Sequence, residues 1–139
     1  MKHNYFLLFF VFLNIMLFPK NAYGDETWTT EEYKVIYLED RKNTAVWRYG
    51  DNVGHVFIDG LGGKTEGRGS YHGYWVQKSS SRRCDTYRED INGKPTYYWG
   101  RFEIKFIDPN FPSRWQAKLG LCDQKTTIIL NGTPSVLDN

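Results

Sequence analysis

The sequence is short of most of the side chains from which active sites are built. Its 139 residues hold only two cysteines, Cys84 and Cys122, too few for a disulfide-dense miniature scaffold or a cysteine zinc site. Three histidines are present, one of them at position 3. No apolar run reaches the ~20 residues a membrane-spanning helix needs; the longest, Tyr5 to Phe18, is interrupted by Asn14. No stretch sustains a helical period, which argues against an α or α/β fold. No linker or low-complexity segment divides the chain. An excess of one charge is missing too, once the N-terminal segment is set apart.

That segment reads as a secretory signal peptide over residues 1–24. Lys2 and His3 form a basic start, the Phe- and Leu-rich run follows, and Ala22-Tyr23-Gly24 offers the small residues a signal peptidase reads. No cysteine follows to accept a lipid, so the expectation is a processed, secreted or periplasmic chain with no membrane attachment. Lys2 and Lys20 leave with the segment; against 18 Lys and Arg and 16 Asp and Glu in all, the remainder has no net charge. A chain without a positive field has little general attraction for nucleic acid or anionic membranes. In an oxidising compartment Cys84 and Cys122 are expected to pair, closing a loop of about 39 residues worth on the order of 4 kcal/mol. The alternative is two separate buried thiols.

What the chain has in plenty is aromatic rings and β-branched residues in short runs between Gly, Asn and Asp turns. Residues 25–139 are expected to form one all-β domain. In Tyr97–Phe106, Phe102, Ile104 and Phe106 alternate with Arg101, Glu103 and Lys105, and in Arg114–Leu119, Trp115, Ala117 and Leu119 alternate with polar residues. That alternation gives strands with one buried and one wet face. Further strands are expected at Tyr33–Leu38, Thr44–Tyr49, Val53–Asp59, Ser70–Gln77, Asp85–Arg88 and Thr126–Leu130, with turns at Gly50-Asp51-Asn52, Asn92-Gly93 and Asp108-Pro109-Asn110. Glu31 and Glu32 have room for one helical turn after a Thr29 or Thr30 cap. Eight strands with short connections suggest an antiparallel up-and-down meander that closes into a small barrel or curves strongly, since closure removes exposed edges.

Gly73-Tyr74-Trp75, Arg83-Cys84, Tyr98-Trp99-Gly100 and Leu121-Cys122-Asp123 together resemble a group of small secreted bacterial proteins with the ordered pattern GxW, C, YWGxF, W and CD. The similarity spans residues 44–123. It implies a β-rich secreted domain with a disulfide, and it brings no established activity. The chain departs from the pattern at its last strand, where Leu130-Asn131-Gly132-Thr133 replaces a Trp-containing strand. Lipocalins carry GxW near the barrel's start rather than mid-chain, and avidins begin with Trp-x-Asn where this chain has Trp28-Thr29-Thr30.

Candidate chemistry is thin. Gly60-Leu61-Gly62-Gly63-Lys64-Thr65 has the tail of a phosphate loop, but the first glycine of that motif would fall at Ile58, and Gly67 and Gly69 disfavour the helix that must follow. His55 and His72, with Asp59 or Glu66, would make a metal site only if they converged, which their spacing does not enforce. Ser79-Ser80-Ser81 has no nucleophile elbow around it. Asn131-Gly132-Thr133 matches a glycosylation sequon, but Pro134 follows it, and a bacterial origin would make it idle. No cofactor is expected.

The aromatic residues carry the most information. Trp47, Tyr49, Tyr71, Tyr74, Trp75, Tyr97, Tyr98 and Trp99 fall on neighbouring strands, and adjacent residues point to opposite faces, so some rings must face water, a barrel lumen or a partner. The expectation is a non-catalytic binding protein that meets a small molecule, glycan or peptide through Tyr71, Tyr74, Trp75, Tyr97 and Trp99. Arg82 and Arg83, in the basic run 78–83, would fork onto an acidic group. A protein-protein interaction factor, such as an inhibitor or host-directed protein, using loops 60–69 and 78–83 is the alternative, and a small hydrolase a weaker one.

Overall fold

The computed structural model describes residues 26–135, so the expected signal segment 1–24 lies outside the described residues. Ten strands follow in chain order: β1 (Thr27–Thr29), β2 (Lys34–Arg41), β3 (Thr44–Tyr49), β4 (Gly54–Asp59), β5 (Ser70–Gln77), β6 (Arg88–Glu89), β7 (Pro95–Thr96), β8 (Tyr98–Phe106), β9 (Trp115–Leu119) and β10 (Ile128–Pro134). Eight of them form a closed antiparallel barrel in which each pairs with its neighbours in sequence, and β1 closes the ring by pairing with both β2 and β10. The remaining two, β6 and β7, make a small hairpin on the outside of the barrel, between β5 and β8.

The expected all-β barrel is therefore present, with one exchange of strands. Asp85–Arg88 is not a barrel strand: only Arg88 and Glu89 pair, and with β7 alone. The eighth place belongs to Thr27–Thr29, too short to display an alternating pattern. Glu31 and Glu32 take no helical turn either. Thr30 does cap a turn, its Oγ1 accepting the Tyr33 N–H at 2.8 Å, but the chain enters β2 at once. At the β3–β4 turn, Gly50 (φ 64°) and Asn52 (φ 58°) supply the left-handed conformations that the tight reversal requires.

Period-two alternation sorts the side chains into two cores. Inside the barrel lie Trp28, Val35, Tyr37, Ala45, Trp47, Tyr49, Val56, Ile58, Trp75, Phe102, Ile104, Phe106, Trp115 and Ala117. A smaller cluster of Val46, Phe57, Val76, Cys84 and Trp99 lies on the outer face, with Tyr74 and Ile91 against it. The outer hairpin is fastened to that face at several points. Arg88 lies over both Tyr74 (4.9 Å) and Trp99 (4.7 Å), the Trp99 indole N–H donates to Thr86 O at 2.8 Å, and Arg41 donates to Ile91 O at 2.9 Å. The Cys84–Cys122 disulfide, with a Cα–Cα distance of 5.6 Å, ties the start of this excursion to the turn after β9.

On β8 and β9 the outward positions Arg101, Glu103, Lys105, Gln116 and Lys118 are polar, whereas Ile129 on β10, opposite Lys118, is 54% exposed. Inside, backbone gives way to rings. Gly100 on β8 faces Trp75 on β5, and a Cβ there would stand 2.4 Å from the indole nitrogen.

Candidate functional site: the barrel cavity

The two ends of the barrel differ. One end is plugged by the loops 60–69 and 107–114. Leu61 is fully buried there, and Arg68, 4% exposed, makes a two-pronged ion pair with Glu26 (2.8 and 3.0 Å). Arg68 also donates to Ser113 Oγ at 3.1 Å and to Lys64 O at 2.8 Å, and its guanidinium lies 5.2 Å from the Phe106 ring centre. Trp28 forms the layer beneath, donating to Ser113 O at 2.7 Å while its ring lies 4.4 Å from that of Trp47.

The opposite end leads to solvent. A cavity of about 330 Å³ enters the barrel there, with Val35, Trp47, Val56, Trp75, Phe102 and Trp115 as its buried wall. Its mouth is set by Glu32 and Tyr33 from the β1–β2 turn, Ser80 and Ser81 after β5, Leu121 from the β9–β10 connection and Ile128 at the start of β10. Between wall and mouth, the Tyr49 hydroxyl accepts from Gln77 Nε2 at 2.8 Å, and burial holds the phenol well above its usual range, so it stays neutral. Tyr33 packs against it with ring centres 5.3 Å apart. Chemically this is an apolar, ring-walled receptacle with a few hydroxyl and amide groups near its entrance, the composition of small-molecule sites.

The residues singled out from the sequence do not share one surface. Only Trp75 lines the cavity, its indole N–H held by Gly120 O at 2.9 Å. Tyr71 also belongs to the inner face but sits toward the plugged end, edge-on to Phe106 at 5.9 Å. Tyr74 is on the outer face, stacked on Phe57 at 5.1 Å, and Trp99 lies under the outer hairpin. Tyr97 carries the Arg83 guanidinium 4.0 Å from its ring centre. Arg82, Arg83 and Trp99 border a second, more polar hollow beside the disulfide, together with Asp85 and Asp123. The glycine-rich run 60–65 serves the plug.

His55 and His72 stand on the same outer face but apart: His72 pairs across with Asp59, and His55 with Val76. The His55 Nδ1 faces Asp90 Oδ1 at 3.5 Å, and burial, opposed by Asp90, lowers its pKa from 6.5. Among the described residues no three His, Cys, Asp or Glu side chains converge as metal ligands would. Sequence reasoning missed the cavity residues Trp47, Tyr49, Phe102 and Trp115 as site residues, although their shared alternation already placed them on one face.

Fold and cavity together define a closed eight-stranded β-barrel with one plugged and one accessible end. Set against protein-family models, curated proteins and solved structures, the chain matches none of them.

Proposed function

We propose that the protein is a secreted or periplasmic binding protein, non-catalytic, that takes a small molecule into the open end of its barrel. The observation that carries this reading is the one-ended cavity of about 330 Å³ walled by Trp, Tyr and Phe. The rigid frame around it supports the same reading, because a preformed pocket binds without first ordering its walls. The disulfide is compatible with an oxidising destination.

The test is titration of the protein with Prodan, an uncharged naphthalene dye, followed by dye emission and by tryptophan quenching. Binding with a blue-shifted emission is expected, together with its loss in Leu130→Trp, which fills the cavity from β10. A Leu130→Trp variant that keeps the parent's urea midpoint yet binds the dye unchanged would place binding elsewhere and defeat the reading.

A further inference from the structure

All five tryptophans of the chain are within the described residues, and they divide into two sets. Trp28, Trp75 and Trp99 each give their indole N–H to a backbone carbonyl, at 2.7, 2.9 and 2.8 Å. Trp47 and Trp115, each 1% exposed, have no protein acceptor for theirs. These two are neighbours, with ring centres 5.5 Å apart, and both line the cavity. Buried donors in folded proteins are nearly always satisfied, and leaving one unpaired costs about 1–3 kcal/mol. Both nitrogens are closed off from the cavity as the rings are packed, so a ligand reaches them where the wall rings turn to admit it, and it then meets two donors that no group of the fold satisfies.

Charge narrows what can satisfy those donors. Among the described residues Glu32, at the mouth, is the only charged side chain lining the cavity. Arg68 is on the far side of Trp28 and committed to Glu26, and Arg48 alternates with Trp47 and so faces outward. A ligand carboxylate or phosphate brought to the indoles would be desolvated without a counter-ion, which is strongly unfavourable. Size and shape narrow it further. The cavity is at the small end of the usual range for ligand sites, roughly 300–1,000 Å³, and its aromatic walls favour flat rings over flexible chains.

From these observations we infer that the ligand is a compact, uncharged aromatic compound bearing a carbonyl-type acceptor, which enters ring-flat and accepts from the indole N–H groups of Trp47 and Trp115. The assignment rests on the reading of the barrel as a small-molecule receptor, and deepens it.

Three probes of one shape test it: naphthalene, 2-acetylnaphthalene and 2-naphthoate, titrated into the unreduced protein with calorimetry and with NMR of the five indole N–H resonances. 2-Acetylnaphthalene is expected to bind about five- to tenfold more tightly than naphthalene, the gain of one to two neutral hydrogen bonds, and to exceed 2-naphthoate by at least as much. Relative to the naphthalene complex, the Trp47 and Trp115 indole protons should move downfield while those of Trp28, Trp75 and Trp99 stay. Trp47→Phe and Trp115→Phe should each bring the ratio of 2-acetylnaphthalene to naphthalene affinity down toward one, the ratio being read within each variant because both rings also form the wall that naphthalene meets; the wild-type resonances decide the matter if either variant fails to fold. Equal affinity for naphthalene and its acetyl derivative, with unmoved indole resonances, overturns the carbonyl assignment and leaves the receptor reading intact. Tightest binding of the naphthoate overturns the uncharged class. Binding of none of the three overturns the assignment and the receptor reading together.

Discussion

Trp115 lies across Gly132. The two are register partners on β9 and β10, and a Cβ built on Gly132 would stand 2.1 Å from the indole ring. The glycine occupies the place where the resembled sequence pattern has a Trp-containing strand, and its missing side chain is what lets an inward Trp from the next strand lie flat against the sheet. β10 nevertheless pairs fully with β9 over Ile128–Gly132 and with β1 beyond it.

Gly132→Ala should therefore destabilise the barrel by about 1–3 kcal/mol, the usual effect of an extra carbon in a filled core. Combining it with Trp115→Phe should cost less than the two single changes added together, because the smaller ring leaves space for the methyl. Urea denaturation of the parent and the three variants measures the coupling; strict additivity contradicts the packing described.

The disulfide is expected to act on the chain at large. Cys84 and Cys122 are 38 residues apart, and a loop of that length constrains the unfolded chain by about 4 kcal/mol. Cys84→Ser with Cys122→Ser should lower the unfolding free energy by about 2–4 kcal/mol and release the outer hairpin first, since Cys84 is part of the small cluster beneath it. Chemical denaturation gives the first quantity, and hydrogen exchange of the Thr86–Tyr97 amides the second. Faster exchange spread evenly over β2 to β5 would contradict the local release.

How far the fold was legible follows from these same elements. β3 and β5 match their expected bounds at both ends because Thr44–Tyr49 and Ser70–Gln77 are runs of β-branched and aromatic residues bounded by turn residues. β1 was invisible because three residues cannot show a period; its place in the ring depends on Trp28 filling space against Trp47 and Trp115, partners far away in sequence. Asp85–Arg88 looked like a strand because local propensity does not reveal that the chain has left the barrel. The site was less legible than the fold. Alternation tells that Tyr74 and Trp75 face opposite ways, but which side is the lumen, and which end of the lumen is plugged, depends on Glu26 meeting Arg68 across 42 residues. Nothing around Arg68, in a run of glycines, marks it as a buried residue.

The outer hairpin should respond to pH through His55. Burial disfavours its charged form and outweighs Asp90, which favours it; Arg48 and Arg41 add to the lowering. With its folded pKa below the ordinary 6.5, the imidazole binds protons less readily in the folded state than in the unfolded one. Its contribution to stability is accordingly full above pH 6.5 and is lost as the pH falls from there toward the lower folded midpoint. Asp90→Asn should push that midpoint lower still. Following the His55 ring protons by NMR between pH 4 and 8 checks both statements (roughly the range over which histidine changes charge); a midpoint at or above 6.5 in the parent contradicts them.

The Glu26–Arg68 pair yields the sharpest mutational expectation. Both side chains are 2% exposed, and the guanidinium has further acceptors in Lys64 O and Ser113 Oγ, so each charge depends on the other for compensation. Removing one partner strands the other in a low-dielectric site, which typically costs about 3–5 kcal/mol. Glu26→Gln and Arg68→Met should each lose stability of that order, and the double variant should recover much of the loss, since a buried ion pair is often replaceable by apolar packing. Because Trp28 separates the plug from the cavity, Prodan affinity in the folded double variant should stay within about twofold of the parent, a change worth less than 0.5 kcal/mol. A double-mutant cycle in urea supplies the coupling energy and the dye titration the second readout. Single variants as stable as the parent would mean that the plug is not held by the charge pair, whereas dye binding lost in a folded double variant would mean that the plugged end shapes the open one.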